Sequence, residues 1–171
     1  KESGRKVMEL LAADVRPCDV ITKDSICNAF AVDMALGGST NSVLHLMALA
    51  CETGIDFSLE TVSEIGQRTP HLSKIRPSGD YHVEDLDIAG GIAAVMSELG
   101  ELLKPSVKTV SGKTLGHDIA GVSIKDSDVI RSVSNPHSAT GGLSILFGNL
   151  APQGAVVKSA AVVPEMMVHK G

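Results

Sequence analysis

Along the first two-thirds of the chain apolar residues recur at the three- and four-residue spacing of helices; toward the end they gather into short continuous runs. Residues 4–13 place Val7, Met8, Leu10 and Leu11 on a helix that Arg16-Pro17 is expected to end. Residues 25–36 form an Ala-rich helical run through Ile26, Ala29, Phe30, Val32 and Met34, stopped by Gly37-Gly38. A second helix follows at once, with Ser39 or Thr40 as its N-cap. Its apolar residues Val43, Leu44, Leu46, Met47, Leu49 and Ala50 lie nearly all round, which predicts a buried helix closed by Gly54. Residues 58–68 read as an amphipathic helix capped by Ser58 and bearing Leu59, Val62 and Ile65 on one face. After the turn residues 75–80, helical periodicity resumes over 83–103, broken into two by Gly90-Gly91.

Beyond Pro105 the pattern changes. Residues 107–110 suit a short strand and 114–119 one or two helical turns, and three β-type runs follow at 143–147, 155–158 and 160–163. The connection Asn149-Leu150-Ala151-Pro152-Gln153-Gly154 is accounted for as a turn. A chain that opens inside a helix and stops without a closing element is expected to be an internal fragment, marginally stable or associating when isolated.

Composition narrows the classes. The 171 residues are 43% hydrophobic but only 2% aromatic, so a core of small aliphatic side chains is expected. Fifteen basic against twenty acidic residues give a net charge of −5 with no basic block, which disfavours nucleic acid. No stretch approaches the roughly 18 apolar residues of a membrane span, and no apolar h-region follows Lys1-Glu2-Ser3-Gly4-Arg5, so a cytoplasmic protein without a membrane partner is expected. The cysteines Cys18, Cys27 and Cys51 form no C-x-x-C pair and read as reduced thiols, Cys27 and Cys51 within apolar helices.

Candidate chemistry centres on Gly37-Gly38-Ser39-Thr40-Asn41. Glycines allow a close turn, and the following helix start can receive a carboxylate or phosphate with help from the Ser and Thr hydroxyls; a purely structural capped turn explains the same residues. It is not a P-loop, since no Lys follows the glycines. Tyr81-His82-Val83-Glu84-Asp85 sets an imidazole beside two carboxylates, but neighbouring helix positions diverge, and a solvated helix start accounts for it. His45, inside an apolar helix, reads as a core histidine, Lys158 as a snorkelling surface lysine, and His117, His137 and His169 carry no assigned role.

Several segments carry a family resemblance. Asn28-Ala29-Phe30-Ala31-Val32-Asp33-Met34-Ala35-Leu36-Gly37-Gly38-Ser39-Thr40-Asn41, Tyr81-His82-Val83-Glu84-Asp85-Leu86, Gly148-Asn149-Leu150-Ala151-Pro152 and Gly154-Ala155-Val156-Val157-Lys158 resemble, in order and spacing, the middle of the dihydroxy-acid dehydratase and 6-phosphogluconate dehydratase family. The resemblance implies an α/β fold: residues 1–104 as the helical end of an N-terminal α/β domain, and 105–171 as the crossover and opening strands of a swivelling β-barrel-like domain. It implies a hydro-lyase that converts 2,3-dihydroxy acids to 2-keto acids with an iron–sulfur cluster as Lewis acid, a Mg²⁺ ion and a serine base. Those ligands and that base belong to segments outside this stretch, so no catalytic or metal residue is assigned here, no cofactor is expected on this chain, and the chain alone is expected to be inactive. The 81–86 segment looks like the branch serving branched-chain (valine and isoleucine) amino-acid synthesis, and a homo-oligomer is expected. Ser39, Thr40 and Asn41 are expected to lie close to the substrate carboxylate. The alternatives are a sugar-acid (aldonate) dehydratase fragment and a non-catalytic binding or interface module.

Overall fold

The computed structural model describes residues 1–168 and 170; His169 lies outside the described residues. Helix α1 (Glu2–Ala12) ends before Pro17 is reached: Asp14 turns to φ +50°, and the amides of Asp14 and Val15 return to the carbonyls of Leu11 and Leu10. The chain is then free to start again, and Pro17 opens the short α2 (Pro17–Val20) instead of only ending α1.

Helix α3 (Lys23–Ala35) is the centre of the molecule. Thr22 caps it by accepting from the Ser25 amide (3.2 Å), and Ile26, Phe30, Ala31, Val32, Met34 and Ala35 are all buried. Its apolar residues lie on more than one face because α4 (Thr40–Glu52), α5 (Leu59–Arg68) and α7 (Gly91–Leu99) all pack on it. Val62 and Ile65 of α5 meet it as the amphipathic pattern requires, and Phe30 stacks on Phe57 with ring centroids 5.5 Å apart. Asn28 ties α3 to the end of the first helical set: its carboxamide donates to the Lys104 carbonyl (3.0 Å) and accepts from the Lys104 amide (2.8 Å). The glycine pair at 90–91 does divide the next helical stretch, into α6 (Val83–Ile88) and α7, with a 3-10 turn at Gly100–Leu102.

Helix α4 departs from its pattern. Only Val43 and Ala50 are buried, while Leu44 (66% exposed) and Leu49 (43%) face outward. The main neighbours of α4 are α3 and residues 155–157; Leu46 and Met47 are half-buried against the core, while Leu44 and Leu49 find no cover. Its C-terminus is as expected, with the amides of Gly54 and Ile55 returning to the carbonyls of Cys51 and Ala50.

The last third is less strand-rich than its apolar runs suggest. Strands β1 (Ser144–Leu146) and β2 (Ala155–Val157) form one antiparallel pair, Ile145 opposite Val156, joined through the turn that includes Asn149 and Gly154. The run at 160–163 instead begins in a 3-10 turn, Ser159–Ala161, because the Ala160 amide bonds to the Gly142 carbonyl (3.1 Å) and leaves no strand partner. The run at 107–110 makes only an isolated bridge, Lys108 with Thr114, since α8 (Leu115–Asp118) follows directly. The architecture is thus mixed α/β, with helices dominating and a small sheet at the end.

An extended segment, residues 69–73, runs through the core between α3 and the later part of the chain. Leu72 donates to the Ala35 carbonyl (2.7 Å), Arg131 donates to the Leu72 carbonyl (2.8 Å), and His71 pairs with Ser138. Leu72, Ile130 and Leu143 therefore share one core with Phe30 and Met34.

Candidate functional site at the glycine corner

The turn between α3 and α4 is built so tightly that neither of its glycines tolerates a side chain. Gly37 (φ +76°) lies against His71, where a Cβ would come within 2.8 Å of the ring Nε2. Gly38 (φ +37°) lies over the Asp33 carboxylate, at 2.5–2.6 Å from where its Cβ would be. Residues 141–142 close the corner from a third side, the Gly142 amide donating to the Met34 carbonyl (3.0 Å).

Asp33 faces this corner from the last turn of α3. Its Oδ1 accepts from the Ser42 hydroxyl (2.9 Å), while Oδ2 is buried with no partner in hydrogen-bonding geometry among the described residues. Burial raises its carboxyl pKa above the ordinary value, against the opposing effects of the Ser42 hydroxyl, the Ser39 amide and the Lys158 ammonium. Ser39 caps α4: its hydroxyl accepts from the Asn41 amide (3.2 Å) and its carbonyl from the Ser42 amide (2.9 Å). Those bonds occupy the amides of Asn41 and Ser42. What the helix start still presents outward is the side chains of Ser39, Thr40 and Asn41, all three exposed.

Lys158 is not the snorkelling surface lysine that its place after two valines suggests. It is half-buried, and its ammonium donates to the Gly38 carbonyl at 2.6 Å. The signal for this contact is absent locally, because the partner is a carbonyl 120 residues away. His71 is likewise invisible to local pattern: with Thr69 and Ser73 it is one of three buried polar residues in the extended segment. The His71 ring donates through Nε2 to the Ser73 carbonyl (3.0 Å), and burial holds its pKa below the ordinary value. His137 packs beside it with ring centroids 5.7 Å apart; burial and nearby cations lower its pKa to about 4.

The remaining candidates fall outside this corner. His45 is exposed, not in the core, because its side of α4 has no neighbour. His82 and Asp85 form a solvent-facing helix start in which the Asp85 carboxylate accepts from the His82 amide (2.7 Å). Surface grooves run along α1 past Val7, Leu10 and Val110, and between Arg68, Glu98 and Pro136, and none of the corner residues lines them.

Two family models together cover almost the whole chain. One, described as the dihydroxy-acid/6-phosphogluconate dehydratase N-terminal region, matches residues 1–118, and its C-terminal counterpart matches residues 128–171. The chain belongs to the dihydroxy-acid/6-phosphogluconate dehydratase family. It is 56% identical over all of its length to a dihydroxy-acid dehydratase of Dehalococcoides mccartyi, and 54% identical to one of Carboxydothermus hydrogenoformans. A dihydroxy-acid dehydratase of Caldanaerobacter subterraneus is 50% identical. In each case the chain spans 31% of the relative's length. The glycine corner thus joins the two family segments of the chain: Asp33, Gly38 and Ser42 belong to the first and Lys158 to the second.

Among the described residues, the side chains do not suit an iron–sulfur cluster or a divalent cation. Cys18 and Cys51 are exposed on separate helices, Cys51 contrary to its apolar context, and burial raises the pKa of the half-buried Cys27 thiol, disfavouring the thiolate that a metal needs. Among the described residues no group of three or more His, Cys, Asp or Glu side chains is arranged to hold a metal ion. No helix among them is long and apolar enough to cross a membrane.

Proposed function

We propose that the intact enzyme containing this chain dehydrates 2,3-dihydroxy carboxylic acids to 2-keto acids, and that the Ser39-Thr40-Asn41 start of α4 meets the substrate carboxylate. The observation that carries the reaction class is the match of both family segments, with relatives named dihydroxy-acid dehydratase that align to all of this chain, over 31% of their own length, at 50–56% identity. Such a dehydration removes the C2 proton and expels the C3 hydroxyl, leaving an enol that tautomerises to the ketone. This chain's contribution is binding and orientation. Three exposed polar side chains on a rigidly capped helix start can donate to a carboxylate, and the N-terminal end of the helix favours its charge.

On this reading the iron–sulfur cluster, Mg²⁺ and the base that removes the proton are supplied by other parts of the parent, a cytoplasmic homo-oligomer of branched-chain amino-acid synthesis. Residues 1–104 then close the first domain and residues 105–171 cross into the second, whose β-barrel-like sheet begins with β1 and β2. The family also contains 6-phosphogluconate dehydratases, so a sugar acid is the second substrate class to assay.

The full-length enzyme should turn over 2,3-dihydroxyisovalerate in preference to aldonates. Thr40→Val and Asn41→Ala should each raise KM several-fold. If both leave kcat and KM unchanged, the corner has only a structural role.

A further inference from the structure

The chain at Gly37-Gly38 has two consecutive glycines with positive φ, so nothing intrinsic to the backbone holds the next peptide plane in one orientation. Yet charged groups flank this turn on two sides. The Gly38 carbonyl oxygen accepts from the Lys158 ammonium at 2.6 Å. On the other side of the turn the Asp33 carboxylate packs against Gly38, 2.5–2.6 Å from where a Cβ on Gly38 would sit. Asp33 is itself held by the Ser42 hydroxyl, and the residues after Lys158 are anchored to the same corner through the Ala160 amide on the Gly142 carbonyl.

We propose that Lys158, bonded to the Gly38 carbonyl while the Asp33 carboxylate backs Gly38, clamps the Gly38–Ser39 peptide, making Lys158 a positioning residue, supplied by the second family segment, for a substrate-binding helix start that the first segment builds. The inference rests on the reading that Ser39, Thr40 and Asn41 meet substrate. Turning this peptide plane would redirect the Ser39 cap and swing Thr40 and Asn41 with it. The lysine therefore acts on binding through the corner, without touching the substrate itself. A charge-assisted bond of this kind accounts for about a tenfold change in an equilibrium constant, or about 1.4 kcal/mol.

The test uses the full-length enzyme with 2,3-dihydroxyisovalerate, comparing Lys158→Met, Lys158→Arg, Asn41→Ala and the Lys158→Met/Asn41→Ala pair. Steady-state constants are paired with the Kd of the 2-keto-acid product from equilibrium dialysis. Lys158→Met should raise KM and product Kd about tenfold with a much smaller change in kcat. Lys158→Arg should recover most of that loss, and the double variant should lose less than the product of the single losses. If Asn41→Ala raises KM while Lys158→Met stays within twofold of the parent, the clamp is wrong and the corner reading survives. If Lys158→Met raises KM but Asn41→Ala and Thr40→Val do not, the corner reading fails and the clamp with it. Should the Met variant not accumulate, Lys158→Gln decides: parental KM and Kd overturn the proposal, and a tenfold rise supports it.

Discussion

Replacing Gly38 with Ala probes the corner with the smallest change available. The added methyl would sit 2.5–2.6 Å from the Asp33 carboxylate atoms, far inside contact distance. Relief requires Asp33 to move, which breaks its bond from the Ser42 hydroxyl (2.9 Å). Holding an alanine at positive φ costs roughly 1–2 kcal/mol, and losing a hydrogen bond to a charged group about 1.5–3 kcal/mol. The substitution should therefore destabilise the chain by about 2.5–5 kcal/mol. An Asp33→Ala background separates the two contributions, since the obstacle and the bond are both gone and only the backbone cost of about 1–2 kcal/mol remains. Urea unfolding of the 171-residue chain followed by far-ultraviolet circular dichroism gives all four corners of the cycle, provided the m-value is unchanged. A Gly38→Ala cost below about 1 kcal/mol, or the same cost with and without Asp33, would refute the packing described for this corner.

Acid should weaken the fold through His137. Its folded pKa, about 4, is below the ordinary value of 6.5, so the unfolded chain takes up a proton first, and stability present above about pH 6.5 is lost as pH falls toward 4. His71 shifts in the same direction, whereas Asp33, raised, opposes them at the low end. His137→Asn should flatten the urea midpoint between pH 6.5 and 4, by well under the roughly 3 kcal/mol that the full shift represents, because the ring is partly solvent-screened; an unchanged slope counts against it. In the folded chain iodoacetamide should modify Cys18 and Cys51 well before Cys27, whose thiol is half-buried and raised in pKa, as peptide mass spectrometry at pH 7.5 would show. Equal labelling of all three cysteines would contradict the packing of α3.

Helix positions and caps were legible in the residues themselves. Ser39 and Ser58 cap helices because a hydroxyl beside the first turn accepts a neighbouring amide, an interaction contained in a few consecutive residues; Thr22 and Thr114 do the same although the pattern had not singled them out. The glycine corner was readable for the same reason, and so was its polar Ser39-Thr40-Asn41 edge. Strand content was not: 107–110 and 160–163 have strand-like composition, yet a strand exists only where a partner lies alongside, and only 144–146 and 155–157 found one. Burial was legible for the amphipathic α5 but not for α4. The sides of α4 that carry His45 and Leu44 look like core in sequence, but exposure depends on which neighbours the rest of the fold brings. The sequence alone determined where the chain turns and what chemistry each segment could offer, because turns and caps are short-range. Only the tertiary structure decided that His71 and Lys158 join Asp33 at Gly37-Gly38, because those two contacts join residues whose separation along the chain leaves no mark on the local pattern.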